Sequence, residues 1–113
     1  MPTRTNPLHL NRLQLKTLTL LQELARLDEY SRPGDEPGSV VIRPPDPHGD
    51  HFHLGDAVVA MRDASGLRNP AVWVALERKG LIRSMYPNEA VLTSRGLGYT
   101  TGLRETILHQ SSP

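Results

Sequence analysis

The stretch "ALERKGLI", residues 75–82, carries the most structural information in this 113-residue chain. It closes a longer segment, "PAVWVALERK", in which Val72, Trp73 and Leu76 recur at helical spacing. Asn69 stands where an N-cap belongs, and Pro70 takes the first helical position, where its missing N–H costs nothing. Gly80 is placed to adopt the left-handed conformation that ends a helix, with Leu81 folding back onto the last turn. A helix over Pro70–Lys79 is therefore expected. Beyond it, "LIRSMY" and "AVLTS" flank the turn "PNE" and predict two short strands in a hairpin.

Working outward, "LGDAVVAMRDAS" puts Leu54, Val58 and Met61 on one helical face with Ala57 beside them, which predicts a helix before the turn "SGLRNP". From Ser94 a last helix is expected through "RGLGYTTGLRETILHQ". It carries Leu97, Tyr99, Leu103 and Ile107 but is weakened by Gly96, Gly98 and Gly102. At the other end, Leu10 to Tyr30 contains no Gly or Pro, and its leucines follow the alternating three-four rhythm of an amphipathic helix. Leu15, Leu18 and Leu21 widen the apolar face beyond one seam. Two readings follow: a core helix of the chain, or a helix whose surplus face meets a second copy in a homodimer. Residues 31–50 hold five of the ten prolines and are expected to form a connection, with "SVVIR" a short edge strand at best.

"ALERKGLI" at 75–82, followed by "LTSRG" at 92–96, resembles the end of the recognition helix, the wing and the next helix of winged helix-turn-helix proteins. MarR-type transcriptional regulators are the nearest pattern. The resemblance covers about residues 52–104, with Leu10–Tyr30 as the first helix. It implies an α+β winged helix: a three-helix core, a three-stranded sheet with a wing hairpin, and an extra C-terminal helix. Residues 1–113 would form a single domain, with 105–113 the end of that last helix and a tail. The implied partner is double-stranded DNA, with the third helix in the major groove and the wing beside it. Carried onto this chain, the pattern makes Arg68 and Asn69 candidates for base reading. Arg78, Lys79, Arg83 and Arg95 become candidates for holding phosphates.

The chain departs from the family pattern in places. Gly66 to Leu76 spans ten steps, about one helical turn shorter than usual. Ala71, Val74 and Ala75 could face a groove yet offer base edges no hydrogen bonds, and Glu89 stands at the wing where phosphate would favour a cation. The alternative function is a winged-helix protein-interaction module, in which Trp73 is either an exposed anchor or a core side chain against the first helix.

"PHGDHFHLGD", residues 47–56, gathers three histidines. "HFHL" falls where winged helices place a short strand that pairs with the wing. His51 and His53 would share one face of it. With His48 or Asp50 they could ligate Zn²⁺ or a related metal; they could equally be a pH-sensitive surface cluster or plain turn and strand. No metal or other cofactor is assigned from this pattern alone.

Composition excludes several classes. The longest apolar run, Ala71 to Leu76, is far short of a membrane span. No secretory leader is evident at the N-terminus, and there is no cysteine, so a cytoplasmic protein is expected. The net charge of +1 is uneven: residues 1–53 carry six Arg/Lys against seven Asp/Glu, while 54–104 carry seven against four. Any polyanion surface is therefore expected in the second half. No phosphate loop, nucleophile elbow or HExxH pattern occurs, so no enzymatic activity is expected.

Overall fold

The helix that starts at Pro70 ends as the capping residues dictate. In the computed structural model, which describes residues 6–46 and 51–110, α3 (Pro70–Arg78) is followed by Gly80 at φ +77°. Gly80 N–H donates to the Glu77 carbonyl (2.9 Å) and Leu81 N–H to the Leu76 carbonyl (3.1 Å), a complete Schellman closure. The chain then runs directly into the hairpin β5 (Ile82–Met85) and β6 (Glu89–Leu92), as the sequence predicts.

Ahead of these lie α1 (Arg12–Leu24), β1 (Ser31–Pro33), β2 (Val40–Ile42), β3 (His51–Leu54), β4 (Ala57–Ala60), α2 (Met61–Ala64) and a 3₁₀ turn over Ser65–Arg68. After β6 come α4 (Ser94–Gly98), α5 (Arg104–Ile107) and β7 (His109–Gln110). The fold is α+β. An antiparallel four-stranded sheet runs in the order β1-β2-β6-β5, and a smaller three-stranded one in the order β3-β4-β7.

Four expectations need correction. The 10–30 helix is shorter at both ends. Asn11 caps it reciprocally with Gln14 (2.8 and 2.9 Å), so helix begins at Arg12. Beyond Leu24 the chain tightens into i→i+3 bonds, and the Ser31 hydroxyl donates to the Leu27 carbonyl (2.9 Å). Asp28 and Glu29 would also oppose the negative C-terminal end of a longer helix.

The second correction concerns residues 31–50. They are not merely a connection, because β1 and β2 form a hairpin and β2 lies inside the sheet, with Val40 opposite Leu92 and Ile42 opposite Ala90. The prolines allow this: Pro33 is on the edge strand, and Pro44 and Pro45 follow the last paired residue.

Third, "LGDAVVA" is a hairpin, not a helix. Leu54 pairs with Ala57 across the two-residue turn Gly55–Asp56, with Gly55 at φ +61°. Val58 and Val59 suit a strand, and Val59, outside the expected helical face, is the wholly buried one. Consequently "HFHL" pairs with β4 rather than with the β5–β6 hairpin, whose outer neighbour is β2.

Fourth, the C-terminal helix is broken after Gly98. Gln22 donates from its amide to the Gly96 and Tyr99 carbonyls (2.8 and 2.7 Å), satisfying the end of the short α4.

One apolar core joins these parts. Leu18, Leu20, Leu21 and Leu24 of α1, Trp73 and Leu76 of α3, and Ile42, Ile82 and Leu92 of the large sheet are all essentially inaccessible. Leu13 and Leu15 of α1, and Leu27 after it, are partly buried and pack against the same cluster. Two glycines permit close approach. A Cβ on Gly66 would come 1.8 Å from Thr17 Oγ1 of α1, and one on Gly96 would come 2.0 Å from the Leu81 carbonyl oxygen. The part-buried pair Lys16–Asp63 (2.7 Å) fixes α2 to α1. Among the described residues no helix is long and apolar enough to cross a membrane.

Gly96 and Gly98 offer an internal comparison. Gly96→Ala should destabilise the protein by about 1–3 kcal/mol, since the obstacle is a backbone oxygen that cannot step aside. Gly98→Ala, with nothing within 4 Å of its Cβ, should stay within about 0.5 kcal/mol of the parent. Urea denaturation of the two variants checks both.

Candidate nucleic-acid interface

α3 presents two different faces. Inward lie Val72, Trp73 and Leu76; outward lie Ala71, Val74 and Arg78, with Ala75 half-buried between them. Trp73 is fully buried, which removes it as an exposed anchor. Its Nε1–H donates to the Gly66 carbonyl (3.2 Å), and its ring meets Tyr86 edge-on at 5.0 Å. The Tyr86 hydroxyl in turn donates to the Arg68 carbonyl (2.7 Å), so the β5–β6 turn is tied to the end of the 3₁₀ turn that leads into α3.

The six cationic or polar candidates are distributed over three places. At the start of α3, the Asn69 side-chain oxygen accepts from Ala71 N–H (3.0 Å), so that atom is engaged as the helix cap. Arg68 is exposed and reaches Asp46 at 3.5 Å. At the far end, roughly 14 Å away at 1.5 Å per residue, lie Arg78 and Lys79, with Arg95 reaching the adjacent Gly80. The Arg95 guanidinium lies against Gly80, where a Cβ would be 3.2 Å from Nη1. Lys79 Nζ donates to the Leu8 carbonyl (2.7 Å), whereas Arg78 and Arg95 are exposed and form no ion pair with a described residue. Cations here also complement the negative end of the α3 dipole. Arg83 stands apart on β5, 4.0 Å from Glu36.

Two arginines escape notice in the sequence because only strand pairing brings them to the hairpin. Arg32 on β1 grips Glu89 through both nitrogens (2.9 and 3.2 Å), and Arg43 approaches the same carboxylate at 3.7 Å. The negative charge expected to repel phosphate at the wing is thus faced by two guanidiniums. The hydrogen bond from Arg32 holds the Glu89 carboxyl below its usual range; partial desolvation opposes this, and the charges of Arg32 and Arg43 reinforce it.

His51 and His53 do share one face of β3, with their Nε2 atoms 3.1 Å apart. His48 and Asp50 lie outside the described residues. A groove of about 540 Å³ opens elsewhere, between the end of α1, the β3–β4 turn and α5, over Leu27, Leu54 and Leu108. It includes none of the six candidates. Comparison with protein-family models, curated proteins and solved structures gives no match.

Asn69→Ala should lower stability by about 0.5–2 kcal/mol, with Asn69→Ser retaining most of it, because the oxygen caps α3; thermal unfolding reads this directly. Glu89 yields a pH signature. Its folded carboxyl titrates below its unfolded value of about 4.3, so the stabilisation is fully present above that value and disappears as pH falls through the lowered one. The stability gap between the parent and Glu89→Gln should therefore narrow on acidification below about pH 4, as measured by urea midpoints across pH 3–7.

Proposed function

We propose that this chain is a winged-helix DNA-binding regulator of the kind that MarR-type proteins represent. The observation that carries the reading is connectivity. A leading helix α1, a strand β2, the helical segment 61–68, α3 and the β5–β6 hairpin follow one another, with β2 paired to β6. That order is the one in which winged helices set a recognition helix beside a wing, and here the β3–β4 hairpin is inserted ahead of the second helical segment. The inward-turned Trp73 and the capped ends of α3 leave its outer surface free for a groove.

The distribution of charge favours binding through the DNA backbone. Arg78 and Arg95 are assigned phosphate contacts, with Lys79 beside them. Base reading falls to Arg68 and the Asn69 amide nitrogen, since Ala71 and Val74 can contribute only apolar contact. A two-copy complex on a symmetric site is included in the proposal.

A second reading is favoured by one observation: the outward positions Ala71 and Val74 near the start of α3 are small and apolar, with Val74 45% exposed. A protein-interaction module would use that face. Salt separates the two. Binding to duplex DNA should weaken steeply with salt, and Arg78→Ala with Arg95→Ala should flatten the logarithmic slope by about 0.9 per lost phosphate contact. Sequences selected from a random duplex pool supply the DNA, and sedimentation of the complex gives its stoichiometry. Salt-insensitive binding, or a slope unchanged by both substitutions, would overturn the DNA reading and leave the apolar face of α3 as the functional surface.

A further inference from the structure

We infer that His51 and His53 form a two-imidazole clamp for a divalent transition-metal ion of the zinc–copper group. The inference does not depend on the DNA reading. It starts from the pleat: residues i and i+2 of a strand project from the same face, and the two-residue turn Gly55–Asp56 fixes β3 against β4 in one register. His51 stands opposite Ala60 and His53 opposite Val58, so the directly paired residues on β4 carry no charge. The rings meet edge to face, with centroids 4.8 Å apart and planes at 81°, and the two Nε2 atoms approach to 3.1 Å.

The two Nε2 atoms share a hydrogen bond across that distance, which an ion taken up between them would replace, and the separation suits ligation of one ion. Two imidazoles at about 2.05 Å from a tetrahedral Zn²⁺ place their nitrogens about 3.3 Å apart. Adjacent positions of a tetragonal Cu²⁺ site place them about 2.9 Å apart. The observed distance lies between the two. Imidazole suits both ions, and copper should bind more tightly than zinc. His53 is exposed, which leaves water or a small exogenous ligand room to complete the coordination.

Among the described residues no third His, Cys, Asp or Glu converges with the pair. From the described residues the ion would draw these two ligands, with its remaining positions open to water or another donor. His109 belongs to the same sheet face, since Val58 pairs with both His53 and His109. It is two strands away, however, roughly 10 Å at ordinary strand spacing, and therefore outside the clamp. This makes it a built-in control.

The test uses the full chain, stripped with chelator and titrated calorimetrically with Zn²⁺ alone and then with Cu²⁺ alone. One ion per chain is expected, with copper the tighter. His51→Ala and His53→Ala should each weaken binding by at least about tenfold, while His109→Ala should change it less than about twofold. Circular dichroism confirms that each variant is folded. On the unaltered chain, imidazole ¹⁵N shifts should locate Zn²⁺ at Nε2 of His51 and His53. Absence of binding would overturn the proposal. So would equal weakening by all three substitutions, which would mean a diffuse histidine patch, or imidazole shifts confined to other histidines.

Discussion

The architecture depends on one backbone junction, the meeting of the α3 terminus with the start of α4. Gly80 turns the chain left-handed, and Leu81 passes beneath Gly96 at a distance no side chain would permit. Thr93 holds the two together: its N–H donates to the Leu81 carbonyl (3.1 Å), its hydroxyl donates to the Gly80 carbonyl (2.8 Å), and its Oγ1 accepts from Gly96 N–H (3.1 Å) as the α4 cap. The α3 exit, the return of β6 and the start of α4 therefore share one set of hydrogen bonds. The sheet's position relative to α3 follows from it, because β5 leaves and β6 returns through that point.

α1 is the second organiser, and it works through polar side chains as well as leucines. Thr17 and Thr19 are buried in the middle of the helix, where both hydroxyls donate back to carbonyls one turn earlier. Thr17 then fits against Gly66, and Thr19 lies 2.6 Å from the Thr101 hydroxyl. With Lys16 on Asp63 and Gln22 on the α4 carbonyls, one helix holds segments from both halves of the chain. Burying such groups is tolerable because each is partnered; among the described residues no buried side-chain polar atom lacks a hydrogen bond.

What the sequence made legible was local. The Asn69–Pro70 start, the Gly80 stop and the hairpin around residues 86–88 each depend on a few adjacent residues, and all three are present. The misreading of 54–60 arose because Leu54, Val58 and Met61 satisfy a helical period, while the decisive signal was Gly55–Asp56 between two short runs with strand propensity. β2 was undervalued because Pro44 and Pro45 follow it, yet they lie beyond its pairing. In the candidate interface, the approach of Arg95 to Gly80 at the end of α3 follows from the α3–α4 junction. The grip of Arg32 and Arg43 on Glu89 spans about fifty residues and needs the sheet order, which no short-range pattern encodes.

The small sheet is built on two unequal seams. β3 and β4 are joined by a two-residue connection, so their pairing closes a very short loop. Among the described residues β7 adds two paired positions, Ala57 with Gln110 and Val58 with His109, after a loop of about fifty residues has closed. Loop-closure entropy opposes the second seam far more than the first, and two rungs return little for it. The β3–β4 seam is thus the more local of the two, and amide exchange should be faster along β7 than along β3.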